Sequence, residues 1–437
     1  MTLPENPDLI DLYLYHIGKS EVPKQFHLWA CLSMMAACVS DRVWVQINPV
    51  NRVYSNLYVF LIGPSGSGKE KAISTALKFV QGGLDRLRGY YESIGVDPAY
   101  VEQILNPYAG MATKQSILEF FVLGSKPDPR GVRKATREKF YFVTEELANS
   151  LNTPALAHEL VKLMTALFVP PAVPIMEGTR TNGFVELENT CLNWLAGTTD
   201  EWLLECVPKT SIEGGFFARV CSVRGRRDYK HRHPQIIYPC DYEQIREEIL
   251  RRVEALMWLA GSYQLSKEAQ ERHDAWYMDR PAPKESVLEP TFNRADEMVY
   301  KLALLLAIAD WPGTFDDEGN VTGHEAVIQL EHLNEAIELW DSLAMEIPAT
   351  IRVANMSAQT RDVDIAEDAI KRAKTITRHE LMRSVNNRGL NKERLDKALD
   401  TLIDRECVKE HTEMTPGATK PRRWYVWMER VGNGESK

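Results

Sequence analysis

The chain contains few cysteines, and they form no paired motif. Its 437 residues include seven cysteines, an odd number, and no two of them make a C-x-x-C pair. This usage argues against a small secreted domain held together by disulfides, and it is typical of a protein whose thiols stay reduced. We therefore expect a cytoplasmic location.

The sequence also lacks a secretory signal and a long apolar run. The first residues, MTLPENPDLIDLY, have neither a positive n-region nor an apolar h-region. The apolar stretch at 301–311, KLALLLAIADW, is shorter than the roughly 20 residues that a membrane span requires. We expect no membrane partner, and we interpret 301–311 as a core helix.

An excess of positive charge is also missing. The net charge is −9, which argues against a general nucleic-acid binder. The segment from residue 361 onward has 17 Lys/Arg and 14 Asp/Glu, a balance of +3, so the rest carries −12. An acidic body with a mildly basic tail is compatible with DNA contact through a few loops.

The length, with 44% hydrophobic and 26% charged residues, predicts two or three folded domains.

The most specific motif is a glycine-rich stretch between a predicted strand and a predicted helix. The apolar run 57–62 predicts a buried strand, and KAISTALKFV at 71–80 is compatible with a helix. This is the context of a phosphate-binding loop, in which backbone N–H groups and a helix N-terminus face phosphate oxygens. The residues predicted to bind the phosphates of ATP are Gly63, Pro64, Ser65, Gly66, Ser67, Gly68 and Lys69. Lys69 is expected to reach the β- and γ-phosphates and to be required for catalysis.

The residue after Lys69 departs from the usual motif. A Ser or Thr hydroxyl normally follows this lysine and holds Mg²⁺, whereas this chain has Glu70. Because Mg²⁺ prefers hard oxygen ligands, Glu70 is predicted to bind the metal directly or through water. It also places negative charge beside the phosphates.

A second acidic motif lies in FYFVTEELAN, residues 140–149. The strand-like residues end at Thr144, and Glu145 and Glu146 follow. We predict that Glu146 polarises the attacking water and that Glu145 is its partner on the metal side. The alternative is an ordinary surface helix that begins with acidic residues.

The segment VPIMEGTRTNGFVELENT, residues 173–190, has the turn chemistry of a β-hairpin. Its polar tip, residues 178–183, includes Arg180 and Asn182. Both are predicted to contact the phosphate backbone of a nucleic acid. A surface hairpin without function is the alternative.

A third buried strand is predicted at CLNWLAGTT, residues 191–199. Thr199 at its end is expected to sense the γ-phosphate or to orient the attacking water. Arg219 follows Gly214-Gly215 and two aromatic residues, where a ring ATPase would offer an arginine to its neighbour's nucleotide. Three nearby arginines are alternatives for that role: Arg224, Arg226 and Arg227.

The sequence predicts four regions. Residues 1–56 are a mostly helical N-terminal extension, 57–240 the ATPase core, 241–350 an all-α lid over the nucleotide, and 361–430 a winged-helix domain. In the lid, Arg294 is expected to act as a second sensor that contacts the nucleotide. In the winged helix, which has a tight turn at NNRGLN, Arg422 and Arg423 are predicted to bind DNA. Contact with a protein is the alternative for this domain.

Residues 25–350, three quarters of the chain, resemble a family of P-loop ATPases of phages, plasmids and integrated mobile elements. The segments that carry the resemblance are NLYVFLIGPSGSGK, YFVTEELAN, LNWLAGTTDEWL, GGFFARV, RADEMVYKLALLLA and EHLNEAIELW. Their order is similar to that of hexameric replicative helicases with an AAA+ core. The resemblance implies an α/β P-loop NTPase (AAA+-like) fold, ATP and Mg²⁺ as cofactors, a hexameric homo-oligomer, single-stranded DNA as a partner, and a primase or other replication partner. It also implies a bacterial host cell as the location.

Two functional hypotheses follow from these motifs. The first is an ATP-hydrolysing, ring-forming DNA helicase or translocase of phage or mobile-element replication. The second is a nucleotide-gated DNA-binding, loader or scaffold protein that unwinds little or no DNA. ATPase rates with and without single-stranded DNA would separate the two.

Overall fold

A computed structural model describes residues 3–110, 113–147, 154–171, 173–179, 183–206, 215–227, 238–283, 285, 288–316, 320–323, 325–355, 358–386, 390–413 and 422–428. The chain divides into two compact units, Met1–Ala354 and Asn355–Lys437. Unit 1 has one large hydrophobic core, and unit 2 has a smaller core of its own. The N-terminal segment and the expected lid therefore share the core of unit 1.

The elements of unit 1 alternate between helices and strands. The described helices, in chain order, are α1 (Leu9–His16), α2 (Lys24–Val39), α3 (Lys69–Ser93), α4 (Val101–Ile104), α5 (Lys114–Phe121), α6 (Pro154–Ala166), α7 (Asp200–Cys206), α8 (Tyr242–Leu256), α9 (Lys267–Asp279), α10 (Glu289–Phe292), α11 (Ala295–Ala309) and α12 (Leu330–Asn355). The described strands are β1 (Val43–Gln46), β2 (Arg52–Tyr54), β3 (Tyr58–Ile62), β4 (Asn106–Ala109), β5 (Val132–Lys134), β6 (Lys139–Thr144), β7 (Ile175–Thr179), β8 (Gly183–Leu187), β9 (Cys191–Thr198), β10 (Val220–Arg224), β11 (Gly261–Leu265), β12 (Thr314–Phe315), β13 (Val321–Thr322) and β14 (Val327–Ile328).

The centre of unit 1 is a five-stranded sheet in the order β10-β3-β9-β6-β4. Every neighbouring pair in this sheet is parallel. Strands β3, β6 and β9 are buried along their whole length, as expected for a parallel sheet covered by helices on both faces. The molecule is thus a mixed α/β protein, and the three strands predicted at 57–62, 140–144 and 191–199 are neighbours or next-neighbours in one sheet.

Because all five strands run in the same direction, the sheet has two chemically different ends. We call them the carboxyl edge, where the strands end, and the amino edge, where they begin. The register pairs Tyr58 with Val220 at the amino edge and Ile62 with Arg224 at the carboxyl edge. The residues that follow β3, β6 and β9 therefore meet at the carboxyl edge.

The pair Gly82-Gly83 explains how α3 packs. Although glycine lowers helix propensity, α3 runs unbroken through this pair from Lys69 to Ser93. A Cβ on Gly82 would lie 2.5 Å from Leu250 Cδ2, and one on Gly83 would lie 2.8 Å from Val253 Cγ1. The two glycines therefore allow helix α8 to approach the backbone of α3 closely.

The expectation of an all-α lid over residues 241–350 is wrong, because β11, β12, β13 and β14 lie in this region. Strand β11 pairs in parallel with β1 of the N-terminal segment and with β14, in a sheet of order β14-β11-β1-β2. These strands have two to five residues, too few to show a period of two against the surrounding helices. Strand β1, the partner of β11, is more than 200 residues away in sequence, so only the tertiary fold brings these two strands together, whereas β12 and β13 pair with each other.

The described part of unit 2 contains three helices and three strands. Its helices are α13 (Ala358–Ala373), α14 (Arg378–Asn386) and α15 (Lys392–Asp404), and its strands are β15 (Thr375–Thr377), β16 (Val408–Glu413) and β17 (Arg422–Trp427). The strands form an antiparallel sheet in the order β15-β17-β16. Leu381, Leu395, Leu399 and Tyr425 are among the buried residues of its core. The three helices and the final hairpin follow the order expected from the sequence.

Among the described helices, none is both long enough and apolar enough to cross a membrane.

Candidate functional site

The loop between β3 and α3, residues 63–69, lies at the carboxyl edge and is tightly packed on two sides. A Cβ on Gly63 would lie 2.4 Å from the backbone oxygen of Gly225. One on Gly68 would lie 2.5 Å from Val22 Cγ2, and Gly68 also has a φ of +92°, a conformation that favours glycine. Gly66, with a φ of +77°, has open space around it. The glycines at 63 and 68 thus let the loop pass close to the N-terminal segment and to β10.

The loop leads directly into the N-terminus of α3, a helix of 25 residues. Gly68 is the N-cap residue, and no side chain makes a capping hydrogen bond there. The first N–H groups of this helix carry partial positive charge and suit an anionic group. Pro64 and Ser65 in the loop are exposed, whereas Ser67 is buried.

Lys69 is the cation of this loop, and its side chain is only 5% exposed. Its ammonium group donates hydrogen bonds to the carbonyl oxygens of Gly63 at 2.7 Å and Pro64 at 3.0 Å, and to Ser67 Oγ at 3.4 Å. Burial lowers the pKa of Lys69, while Glu146 and two further carboxylates raise it. Lys69 is therefore held at the loop by backbone oxygens and lies within the field of nearby acids.

Glu146 lies after β6, two strands away from the loop-bearing strand β3. Strands in a sheet are about 4.8 Å apart, so the two strands are separated by roughly 10 Å. Burial raises the pKa of Glu146; Lys69 lowers it, and Glu70 raises it. Its Oε1 is buried and has no hydrogen-bond partner among the described residues. A buried carboxylate oxygen without a partner, facing a lysine across one intervening strand, fits the bound phosphate and water of a nucleotide site.

The predicted metal ligands differ in position. Glu70 lies in the first turn of α3 and acts electrostatically on both Lys69 and Glu146. Glu145 is exposed, and its backbone carbonyl carbon and oxygen pack against Gly197 of β9. The structure thus brings Glu70 and Glu146 together with Lys69, and it does not bring the side chain of Glu145 to them.

Sequence reasoning missed one carboxylate of this site. Glu201, in the first turn of α7, also acts on the pKa of Lys69. It follows the end of a buried strand by three residues, which is the signal that could have identified it. The described residues contain no group of three or more His, Cys, Asp or Glu side chains arranged to hold a metal ion. A Mg²⁺ ion commonly takes one or two carboxylates together with phosphate oxygens, so the acids near Lys69 are compatible with it.

Thr199 lies directly after β9, between the loop strand and the strand that leads to Glu146. Its Oγ1 accepts a hydrogen bond of 3.4 Å from the backbone N–H of Trp202, in helix α7. The preceding carbonyl, that of Thr198, accepts a 3.1 Å hydrogen bond from the N–H of Gly63. Thr199 is therefore at the carboxyl edge next to the loop, as its expected role requires, but its hydroxyl also stabilises α7.

The three alternative arginines lie at the carboxyl edge. Arg224 forms an ion pair of 2.7 Å with Asp200 and donates to Thr350 Oγ1 at 3.0 Å. Arg227 forms an ion pair of 2.7 Å with Glu21. Arg226 is exposed. Arg224 and Arg227 thus serve contacts within their own unit.

Arg219 lies at the opposite end of the sheet, because it precedes β10. Five strand residues separate it from the carboxyl edge, a length of about 16 Å. Its Nη1 donates to the carbonyl of Gly215 at 2.7 Å, and its Nε is buried without a partner among the described residues. Burial lowers the pKa of Arg219, and Arg294 lowers it further. Arg219 is therefore far from the loop of its own chain.

Arg294, the expected second sensor, also lies at the amino edge. It shares an open cleft of about 590 Å³ with Arg219, and its guanidinium pairs with Glu297 at 2.8 Å. The remaining residues of this cleft are Gly215, Pro290, Asn293 and Asp296. The structure does not bring Arg294 to Lys69. The predicted contact of Arg294 with a nucleotide would require a nucleotide bound to another subunit, and this role stays a prediction.

The residues predicted to contact nucleic acid are only partly placed. Strands β7 and β8 form the expected antiparallel hairpin. Its tip residues Arg180 and Asn182 lie outside the described residues. Arg422 begins β17, where it pairs in register with Glu413. Arg423 is exposed and forms an ion pair of 3.4 Å with Glu410.

Comparison with known proteins adds no assignment to this geometry. No protein-family model matches the chain, and no curated protein matches it significantly. The resemblance to the mobile-element ATPases therefore stays a prediction. The roles of the residues at the carboxyl edge can be inferred only from their positions and contacts.

Proposed function

We propose that the protein is an ATP-hydrolysing, ring-forming DNA helicase or translocase that serves phage or mobile-element replication. Its core would be a P-loop NTPase of the AAA+ type, and unit 2 would be a winged-helix domain. The cofactors would be ATP and Mg²⁺. The chain would assemble with copies of itself on single-stranded DNA, and the resemblance implies that this assembly is a hexamer.

The observation that carries the ATPase part of the proposal is the position of Glu146 across one intervening strand from Lys69, where each side chain acts on the pKa of the other. The glycine loop and the uncapped N-terminus of α3 supply N–H groups for the phosphates, and Lys69 supplies a point charge. The raised pKa of Glu146 brings it nearer to neutral pH, where a carboxylate accepts a proton from water more effectively. Lys69, Glu70 and Glu146 would hold the nucleotide with its Mg²⁺, which would neutralise the charge of the phosphates.

The DNA-translocation part is supported by two features of the chain. The first is the resemblance in motif order to hexameric replicative helicases. The second is the placement of Arg219 at the amino edge, from which it is unable to serve its own loop and would serve a neighbour's nucleotide in a ring. Both features are consistent with a motor whose sites lie between subunits.

The test is the steady-state ATPase rate of the full chain with and without single-stranded DNA. We expect clear stimulation by DNA, together with unwinding of a tailed duplex. Lys69→Ala should lower the rate by ~10²–10³, because one charge-stabilising group is lost. Lys162→Ala, an exposed lysine on α6, is the matched control and should keep full activity. No ATPase activity in the wild-type chain would overturn the proposal.

A second candidate function is a nucleotide-gated loader or scaffold protein, and the surface of unit 2 favours it. Helix α15 is the one that would enter the DNA groove if unit 2 worked as a winged-helix reader. Its exposed charged residues are two basic and three acidic: Lys392, Glu393, Lys397, Asp400 and Asp404. A helix face with this balance gains little from phosphate contacts, which dominate DNA affinity. The face suits contact with a protein better than contact with DNA.

The salt dependence of DNA binding separates the two candidates. If the wing binds DNA, the double variant Arg422→Ala with Arg423→Ala should weaken binding equally for all sequences and flatten the salt dependence by up to roughly one unit per phosphate contact. Unchanged DNA binding with impaired assembly would assign unit 2 to protein contacts. Arg372→Ala, on α13, is a control for the general loss of charge.

A further inference from the structure

A cavity of about 470 Å³ runs along one face of α3, beginning two residues after Lys69. Eight α3 residues line it over about four turns of the helix: Lys71, Ser74, Thr75, Lys78, Phe79, Gln81, Gly82 and Asp85. Its volume is in the range of small-molecule pockets, about 300–1,000 Å³. The groups that accept hydrogen bonds from Lys69 do not line the cavity, whereas Lys71 in the first turn of the same helix does.

The N-terminal segment forms the opposite wall of this cavity. Ser20 lines it, and Val22, two residues later, touches the position of a Cβ on Gly68 in the loop. The same short segment therefore contacts both the loop and the cavity.

The aromatic rings that line the cavity pack against one another. The ring of His16 stacks on Tyr242, with centroids 4.2 Å apart and an angle of 20° between the planes. Tyr238 packs edge-on against Tyr242 at 4.7 Å. Phe79 is edge-on to His16 at 5.1 Å. Stacking on aromatic rings is a favourable and recurrent way of holding nucleobases.

Two buried histidines line the same cavity. His16 is 5% exposed and His27 is 3% exposed. The Nδ1 atom of each has no hydrogen-bond partner among the described residues. Burial lowers the pKa of both imidazoles to about 4, so both are neutral at pH 7. A neutral imidazole nitrogen either donates or accepts a hydrogen bond, which matches the mixed edge of a purine.

We propose that this cavity binds the purine base of the nucleotide whose phosphates lie at residues 63–69. The inference rests on the proposed function, since it places the base of the same ligand. The base would lie among the aromatic rings beside His27, close to the first turns of α3. The cations Lys71, Lys78 and Arg246 at the cavity would then face the ribose and the α-phosphate side or solvent.

Isothermal titration of the full chain with ATP and with inorganic tripolyphosphate, both with Mg²⁺, tests this proposal. Tripolyphosphate carries the phosphates without a base. We expect the wild-type chain to bind ATP about tenfold more tightly, since one stacked base contributes ~1–3 kcal/mol. Thr75→Phe, which fills the cavity from a half-buried position on α3, should abolish this advantage and leave the affinity for tripolyphosphate unchanged.

Thr165→Phe is the matched control. Thr165 on α6 is also half-buried, and its hydroxyl donates to the carbonyl four residues earlier at 2.7 Å, as the hydroxyl of Thr75 does. This variant should bind both ligands like the wild type. His27→Gln is a second cavity variant and should likewise lower the affinity for ATP alone. Retained binding of tripolyphosphate shows that each variant is folded at the loop.

The outcomes separate the failure of this inference from the failure of the proposed function. If the wild-type chain binds tripolyphosphate as tightly as ATP, or if Thr75→Phe and His27→Gln keep the full preference for ATP, the base does not lie in the cavity and the inference is overturned. If the wild-type chain binds neither ligand, the proposed function fails and the inference fails with it. If Lys69→Ala loses both ligands while Thr75→Phe loses only the preference for ATP, both proposals are supported.

Discussion

The two edges of the central sheet differ in the charges that surround their buried cations. At the carboxyl edge, Lys69 is the buried cation, and three carboxylates act on its pKa, those of Glu70, Glu146 and Glu201. At the amino edge, three cations lie near one another and interact with the carboxylate of Glu297: Arg219, Arg294 and Lys301. A cluster of cations around one carboxylate suits a further negatively charged group. In the proposed ring the amino-edge cations would face a neighbour's nucleotide, whereas Lys69 and Glu146 lie in the same chain.

The replacement of Arg219 has the largest expected effect on ATP hydrolysis. Arg219→Ala should leave a stable protein that binds ATP, because the guanidinium makes one described hydrogen bond and its Nε makes none. Hydrolysis should fall by ~10³ or more, the effect of removing an arginine from a neighbour's transition state. Arg52→Ala, an exposed arginine on β2, is the control.

The mixing experiment shows whether Arg219 acts across a boundary. Arg219→Ala protein mixed with Lys69→Ala protein should regain ATPase activity where an intact loop meets an intact arginine. A mixture that co-assembles and stays inactive would contradict the trans role. It would leave an arginine acting within its own chain, with Arg224, Arg226 and Arg227 as candidates.

The carboxyl edge is tested by its two adjacent glutamates. Glu146→Gln should still bind ATP and hydrolyse it ~100-fold more slowly, since a positioned base contributes about that factor. Glu145→Gln is the matched control, because this side chain is exposed one residue away, and it should change the rate only slightly. Single-turnover hydrolysis separates the chemical step from binding. A larger loss in Glu145→Gln would exchange the roles of the two residues.

Lys301 shows how the amino edge uses a buried cation for structure. Its ammonium group donates to the carbonyl oxygens of Tyr54 at 2.8 Å and Asn56 at 3.1 Å, and to Asn56 Oδ1 at 2.8 Å. Lys301→Met should destabilise unit 1 by roughly 2 kcal/mol, because buried acceptors are left without donors. Urea unfolding followed by tryptophan fluorescence measures this, with exposed Lys162→Met as control. An unchanged midpoint would show that Lys301 is dispensable for the fold.

The smallest expected effect is a dependence of stability on pH from His16 and His27. Their pKa values are lowered to about 4 in the folded chain, below the ordinary value of 6.5, which applies to the unfolded state. As pH falls from 7 through 6.5 toward 4, the unfolded state binds protons first, so folding stability decreases as the pH falls. Between pH 7 and 6 the two imidazoles together should lower the free energy of unfolding by about 1 kcal/mol. His27→Gln should flatten this dependence in urea titrations at the two pH values, and an equal slope in the variant would contradict it.

Several local features of unit 1 could be predicted because their signal lies within a short window. The apolar run at 57–62, the glycines after it and the helix-compatible residues from 71 onward all follow from neighbouring residues, and β3, the loop and α3 lie where they were expected. The hairpin of β7 and β8 was predicted in the same way from its turn residues. The parallel strands β6 and β9 were predicted from composition, since strands buried on both faces are almost wholly apolar.

The sequence alone determined which chemistry is present, namely a glycine-rich loop with a lysine, acids after two strands and arginines near a third. Only the tertiary structure decided which of these groups meet. Strand order placed β9 between β3 and β6, the backbone after β6 turned Glu146 and not Glu145 toward Lys69, and strand direction sent Arg219 and Arg294 to the far end of the sheet. The small sheet of β1 and β11 and the cavity along α3 are likewise built from segments more than 200 residues apart. The physical reason is that spacing along the chain specifies local periodicity, whereas strand pairing and helix packing depend on long-range burial that no short window contains.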